Sequence, residues 1–112
     1  PVVAQWHYET FSIPAGANLL ASSGACQHQA WAVGPHLAMQ FHIEIDQTKA
    51  YEWAHDEDPK WADARSRFDT VQDSAGILEG IAPNLDLHQA TANAIYRNWL
   101  KTTEWCMALS TN

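Results

Sequence analysis

Apolar and polar positions divide the chain into a strand-rich first part and a helical second part. Over the first 45 residues, short apolar runs alternate with turn signals, a pattern that is typical of strands. The predicted strands cover residues 2–6, 19–22, 29–33 and 37–41. The connector Gly34-Pro35-His36 is about three residues long and predicts an antiparallel hairpin. Residues 22–28 contain a glycine and are expected to form a loop.

The second part shows helical spacing. Residues 47–54 fit one or two helical turns. Asp58 followed by Pro59 indicates a helix start, because aspartate caps helices and proline fits the first helical position. The apolar residues that follow recur on one helical face, namely Trp61, Ala64 and Phe68.

A last helix is predicted from Asp86, as its N-cap, to about residue 104. Its apolar stripe is predicted to consist of Leu87, Ala90, Ala94, Ile95, Trp99 and Leu100. Two glycines make residues 74–82 a weaker, separate helix. Strands followed by helices would alone indicate an α+β arrangement. The first strand is so apolar that we expect neighbours on both of its sides, which suggests that part of the domain is missing.

Composition and charge argue against several classes of function. The chain is 46% apolar and only 17% charged, which indicates a folded protein rather than a disordered one. Thirteen acidic residues face six scattered basic ones, so nucleic-acid binding through phosphate neutralisation is not expected. No apolar run approaches the roughly 20 residues that span a bilayer, and no signal peptide is visible. A membrane partner is therefore not expected.

The two cysteines, Cys26 and Cys106, are far apart in sequence and form no Cys-x-x-Cys pair. This favours free thiols in a reducing, cytoplasmic compartment, although one long-range disulfide stays open as an alternative. Cys26 is interpreted as a small part-buried thiol, and Cys106 as a packing or tail residue.

The six histidines are dispersed, without the spacing of a zinc site. His-x-Glu also occurs in zinc deaminases, but their Pro-Cys-x-x-Cys motif is absent. No metal site is predicted. The tryptophans of the helical part are interpreted as core or interface residues, namely Trp53, Trp61, Trp99 and Trp105.

The sharpest local feature is an apolar strand that ends in His42-Ile43-Glu44. In an extended chain, residues two apart point to the same side and lie about 6–7 Å apart. The Glu44 carboxylate can therefore reach the His42 ring, hold its tautomer and stabilise the imidazolium, as the third member of a catalytic triad does. Alone, the triplet also fits a strand-end histidine beside an exposed glutamate.

Five ordered motifs within residues 2–46 strengthen the catalytic interpretation. They are Trp6–Phe11, Ile13–Ala17, Leu20–Ser23, Cys26–Trp31 and Gln40–Glu44. The first reads WHYETF and resembles WHGDTF of the class I glutamine amidotransferases, and the last reads QFHIE and resembles their QFHPE. In order and spacing the motifs are most similar to the GMP-synthase-like branch of that family. The helical part is only generically similar.

The resemblance implies an α/β, flavodoxin-like glutamine amidotransferase fold, of which this chain carries the last strands, a hairpin and the C-terminal helices. Residues 1–46 would form the strand-rich catalytic segment, and residues 47–112 the helical segment, of one domain. The substrate would be glutamine, and the family's catalytic histidine and glutamate match His42 and Glu44. The family's cysteine nucleophile lies upstream, on a Gly-x-Cys-x-Gly elbow that this chain does not contain. No cofactor is implied, and the chain alone is predicted to be inactive.

The implied partners are the missing N-terminal half of the domain and a synthase that accepts the ammonia. Exposed apolar area would be covered by that half or by another copy of the chain. His7 matches a recurrent family position and is a candidate substrate contact.

The sequence also departs from the family's pattern. Ile43 replaces a proline but still favours an extended backbone. Tyr8-Glu9 replaces Gly-Asp, which leaves the substrate contacts of that loop open. The alternative function is a non-catalytic binding or regulatory module that has lost the cysteine.

Overall fold

The structure is a computed structural model that describes residues 2–110, with side chains described as far as Glu104. Trp105 and Cys106, interpreted above from sequence, therefore have side chains outside the described part. Within it, strands come first and helices follow, as the sequence pattern predicts. The strands are β1 (Ala4–Gln5), β2 (Asn18–Ala21), β3 (Ala30–Val33), β4 (His36–Met39) and β5 (Phe41–His42). The helices are α1 (Gln47–Ala54), α2 (Pro59–Arg67) and α3 (Ser74–Ser110).

Two small antiparallel sheets contain these strands. One has the order β2-β3-β4, and the other pairs β1 with β5. The predicted hairpin joins β3 to β4, with Val33 opposite His36, so its loop is two residues long rather than three. Gly34 opens this loop with a φ of 53°, a conformation that glycine adopts without steric cost.

The predicted strand over residues 37–41 is wrong as one element. β4 and β5 belong to different sheets, and Gln40 lies at the break between them. The Gln40 backbone N–H donates to the carbonyl of Gln29 at 2.9 Å. Its side-chain amide donates to Thr10 Oγ1 at 2.8 Å and to the carbonyl of His28. These long-range bonds turn the chain, so that β5 pairs with β1.

The first strand is shorter than predicted, and its expected second neighbour is not among the described strands. β1 pairs with β5 on one side, with Ala4 opposite His42. Val2, just before β1, is half exposed. One edge of this sheet is therefore unpaired within residues 2–110, and an unpaired edge can accept a further strand.

The first two helices lie where the sequence predicts them. The Asp46 side chain caps α1 by accepting from the backbone N–H of Lys49 at 2.8 Å. Asp58 caps α2, with Pro59 in the first helical position. Trp61 is buried, whereas Phe68 lies beyond the end of α2 and is half exposed. The buried face predicted for α2 thus ends before Phe68.

The prediction of two separate C-terminal helices is wrong. α3 is one helix of 37 residues that contains both Pro83 and Asp86 in its interior. Proline removes one helical hydrogen bond. However, side chains that face the rest of the molecule recur at helical spacing on both sides of it, namely Ile77, Ile81, Leu85, His88 and Ala92. Burial of this continuous face outweighs the local helix-breaking signal, because packing contributes more than propensity.

The stripe predicted for the last helix is also largely wrong. Leu87 and Leu100 are each 52% exposed, whereas His88 and Ala92 are buried. α1 packs against α3. The described core contains one large side chain, Trp61, and is otherwise built from small or β-branched residues, namely Ala30, Ile43, Ile45, Ala50, Ala54 and Ala92. Large apolar side chains remain at the surface, including Leu19, Leu20, Tyr96 and Trp99.

Candidate active site

His42 and Glu44 are presented on one side of the chain by the residues between and after them. Ile43 and Ile45 are 5% and 7% exposed and anchor this segment in the core. His42 and Glu44 alternate with them and face the other way, as the side chains of an extended backbone do. α1 then begins immediately after Asp46, which fixes the exit of the segment.

The two side chains predicted to interact are in contact. Nδ1 of His42 lies 2.6 Å from Oε1 of Glu44, and the side chains are 29% and 56% exposed. Partial burial raises the pKa of Glu44, but the hydrogen bond from His42, the backbone N–H groups of Glu44 and Ile43, and the charge of His42 together outweigh it. The pKa of Glu44 is thereby lowered from its ordinary value, which keeps the carboxylate ionised at neutral pH.

The second ring nitrogen of His42 is also engaged. Nε2 lies 3.2 Å from the backbone carbonyl oxygen of Trp6. A neutral imidazole has a single N–H, so it can donate to Glu44 or to Trp6 but not to both. Both contacts become donor–acceptor pairs when the ring carries two protons.

An aromatic wall stands beside this pair. The ring of Trp53, from α1, meets the His42 ring edge to face, with centroids 4.8 Å apart and planes at 88°. Trp6 lies between Trp53 and Trp61, with centroid distances of 5.4 and 5.2 Å. The His42 site is therefore bounded by Glu44, the Trp6 backbone and the Trp53 indole.

A large cavity in the described part of the molecule borders these tryptophans. It has a volume of about 620 Å³, and its walls include β1, Trp6, Trp53, Trp61 and part of α3. His42 and Glu44 do not line it. Glu44 instead borders a smaller depression together with Asp46, Lys49 and Glu52. We place the candidate chemistry at the His42–Glu44 contact, because cavity size alone does not provide a proton acceptor.

Comparison with known proteins identifies the fold. No family model matches the chain, and no curated protein matches it. A solved glutamine amido transferase from Methylobacillus flagellatus superposes with a TM-score of 0.74 and 28% sequence identity, over 89% of this chain. The chain is thus similar in fold to part of that glutamine amido transferase. It spans 42% of the length of that protein. The likeness and the described elements confirm the expected α/β fold with antiparallel sheets and C-terminal helices.

His7, the residue that the amidotransferase resemblance marks as a substrate contact, directs its ring nitrogens to its own segment rather than to His42 or Glu44. Its Nδ1 is 2.8 Å from the carbonyl oxygen of Glu9, and its Nε2 is 3.2 Å from Oε1 of Gln5. It borders the large cavity. Both ring nitrogens face acceptors of its own segment, and a role in substrate binding stays a prediction.

Cys26 belongs to a different cluster from His42. Its Sγ lies 3.5 Å from Thr10 Oγ1, accepts from Nε2 of Gln40 at 3.5 Å and donates to the carbonyl of His28 at 3.7 Å. The thiol is half-buried and borders the large cavity. These contacts match the interpretation of Cys26 as a packed thiol, and they do not join it to His42 or Glu44.

The contact between Tyr8 and Asp58 was not predicted from the sequence. Tyr8 donates from its hydroxyl to Oδ2 of Asp58 at 2.6 Å, which ties the segment after β1 to the start of α2. Partial burial, this hydrogen bond and the negative charges of Asp58 and Asp56 raise the pKa of Tyr8 to about 12. The same hydrogen bond, with the Lys60 N–H, lowers the pKa of Asp58. The sequence signal was Tyr8 itself, which stands where the family has glycine.

Neither a metal site nor a membrane span emerges from the described residues. No group of three or more histidine, cysteine, aspartate or glutamate side chains is arranged to hold a metal ion in that part of the chain. No helix among the same residues is both long and apolar enough to cross a bilayer.

Proposed function

We propose that this chain supplies the histidine and glutamate of a Cys-His-Glu triad that hydrolyses the side-chain amide of glutamine. The observation that carries the proposal is the 2.6 Å contact between His42 Nδ1 and Glu44 Oε1 in a chain with a glutamine amidotransferase fold. With Nδ1–H donating to Glu44, Nε2 of the neutral ring is left as the proton acceptor. This is the tautomer that a cysteine nucleophile requires.

The reaction then follows from these roles. Nε2 of the neutral His42 ring takes the proton of the cysteine thiol. The resulting thiolate attacks the amide carbon of glutamine, and the C–N bond of the tetrahedral intermediate breaks. His42 gives its Nε2 proton to the departing ammonia. The neutral ring next takes a proton from water, and the hydroxide attacks the thioester to release glutamate and the thiolate. Glu44 stays ionised throughout and stabilises the imidazolium.

In this mechanism, the contact between Nε2 and the Trp6 carbonyl breaks when Nε2 bonds the cysteine or the substrate. A carbonyl oxygen only accepts, so Trp6 can bond Nε2 when that nitrogen carries a proton. The proton-bearing ring is the form that pairs with a thiolate. The 3.2 Å contact therefore gives Nε2 a resting partner, which substrate or sulfur displaces.

The nucleophile would come from outside residues 1–112, on the Gly-x-Cys-x-Gly elbow of a preceding half of the domain. Three features support such a missing half: the open edge of β1, the cavity beside it, and two buried polar atoms in the cavity's walls. His88 Nε2 and Gln29 Oε1 have no hydrogen-bond partner within the described residues, and their residues are 7% and 4% exposed. Buried polar groups normally have partners. A further segment of the domain would provide them.

The ammonia would pass to a synthase, either fused to this domain or separate. The motif order favours the GMP-synthase-like branch among the class I enzymes. The exposed apolar surface would be covered either by the missing half of the domain or by a second copy of the chain. The oligomeric state of the full-length protein in solution distinguishes the two, because only the second arrangement requires a dimer.

The rival proposal is a non-catalytic module that binds or regulates a partner. It is favoured by one observation, the engagement of both nitrogens of His42 within the chain itself. A histidine held in this way can be purely structural. In that case the residue at the upstream elbow would be something other than cysteine.

Glutaminase activity of the full-length protein separates the two proposals. We expect glutamine-dependent ammonia release that falls about 10⁴-fold in His42→Ala, since loss of an acid–base group costs up to this factor. The matched control is His36→Ala, an exposed histidine at the start of β4, which should keep wild-type activity. Unchanged activity in His42→Ala, or none in the wild-type protein, would remove the catalytic proposal.

A further inference from the structure

Three contacts restrain the orientation of the His42 ring. Glu44 at Nδ1 and the Trp6 carbonyl at Nε2 act on its two nitrogens. These two contacts alone leave the ring free to rotate about the line that joins the nitrogens. The indole of Trp53 packs against the ring, with centroids 4.8 Å apart and planes at 88°, and adds a third contact that limits this rotation. Edge-to-face aromatic pairs are favourable arrangements.

The position of Trp53 is itself fixed by the segment that carries the glutamate. α1 is capped by Asp46, two residues after Glu44, and its Ala50 and Ala54 are buried. The helix therefore joins Trp53 to Glu44 through a short, anchored stretch of backbone. The carboxylate and the indole that hold His42 belong to one local unit.

Trp61 makes a close comparison within the same aromatic cluster. It packs on Trp6 at 5.2 Å, much as Trp53 does at 5.4 Å. It is buried, and its Nε1 donates to the carbonyl of Gln72 at 3.1 Å. Only Trp53 of this pair forms an aromatic contact with His42 in the described structure. The two tryptophans thus share a packing role but differ in their relation to the catalytic pair.

We propose that Trp53 is a positioning residue for His42, whose indole keeps the imidazole aligned between Glu44 and the reacting atoms. This rests on the proposed function of His42. In this role Trp53 acts through the orientation of the His42 ring and not on the reacting atoms. A misaligned ring transfers protons more slowly, whereas substrate affinity is left nearly unchanged.

The test is steady-state glutaminase kinetics of the full-length protein. We expect Trp53→Ala to lower kcat about tenfold with KM within about twofold of wild type, because the lost restraint acts on the chemical step. Trp53→Phe keeps an aromatic ring and should recover most of kcat. Trp61→Ala should lower the unfolding midpoint at least as much as Trp53→Ala but keep kcat within about threefold.

A second measurement does not depend on turnover. In the NMR spectrum of the full-length protein, the Cε1–H and Cδ2–H resonances of His42 should lose a ring-current contribution in Trp53→Ala and keep their positions in Trp61→Ala. Wild-type kcat in a folded Trp53→Ala protein, with His42→Ala inactive, would overturn the positioning role alone. An active His42→Ala protein would instead overturn the proposed function.

Discussion

The His42 site and the large cavity both border Trp6 and Trp53, yet they differ in how many of their polar groups have partners. Around His42, both ring nitrogens have partners and Trp53 bounds the ring, with every contact drawn from this chain. Around the cavity, a sheet edge is open and two buried polar atoms lack partners in the described part. The His42–Glu44 contact is therefore held by local and tertiary contacts of this chain, whereas the cavity walls keep groups without partners among the described residues.

The largest of the following effects is a loss of activity, and it concerns the His42–Glu44 contact. Glu44→Gln removes the carboxylate that holds Nδ1, so we expect kcat of the full-length protein to fall about 10²-fold or more. Glu52→Gln is the matched control, because Glu52 borders the same depression as Glu44 but pairs with Lys49. Steady-state ammonia release measures both. Equal activity of the two variants would show that the Glu44 contact is incidental to catalysis.

The next prediction concerns the large cavity and its access to solvent. Cys26 borders the cavity, so its alkylation by iodoacetamide should be about tenfold slower in the full-length protein than in residues 1–112, because burial limits access to the thiol. The rate follows from mass spectrometry of the Cys26 peptide, with the urea-unfolded proteins as the reference. Equal rates in the two folded proteins would contradict the idea that a further segment covers this cavity.

A smaller effect concerns helix stability and compares an aspartate at the start of α1 with one inside α3. Asp46 caps α1, whereas Asp86 lies inside α3. Asp46→Ala should therefore lower the free energy of unfolding by about 1 kcal/mol, the usual cost of losing an N-cap. Asp86→Ala should change it by less than about 0.5 kcal/mol. Urea unfolding measures both, and a cap-sized loss at Asp86 would restore the two-helix prediction that the structure overturns.

The smallest effect is the pH dependence of the His42–Glu44 contact. The folded-state pKa of Glu44 lies below its ordinary value of 4.5, so its stabilisation is present above that pH and is lost as the pH falls through the folded-state pKa. Glu44 is more than half exposed, and solvent screening keeps the effect small. The difference in urea midpoint between wild type and Glu44→Gln should shrink as the pH falls below 4.5. A difference that grows in acid would contradict this sign.

Much of the geometry around His42 and Glu44 could be predicted, because residues close in sequence determine it. The His42–Glu44 contact follows from two-residue alternation, with Ile43 and Ile45 anchoring the other side. The cap of α2 is likewise readable from Asp58 and Pro59. Where neighbours in sequence set the geometry, the pattern was sufficient.

The remaining features depend on residues distant in sequence. The break at Gln40 is made by bonds to Thr10, His28 and Gln29, which no local pattern contains. The partners of His42 include Trp6 and Trp53, brought together only by the fold. At Pro83 the local signal was present but lost to burial of a continuous helix face.

The central claim is that this chain holds two members of a triad whose cysteine lies elsewhere. It is tested most directly by ammonia release from glutamine, measured for purified residues 1–112, for the full-length protein and for full-length Cys26→Ser. We expect no ammonia release from residues 1–112 and equal rates from the two full-length proteins. Glutamine hydrolysis by residues 1–112 alone, or its loss in Cys26→Ser, would contradict it.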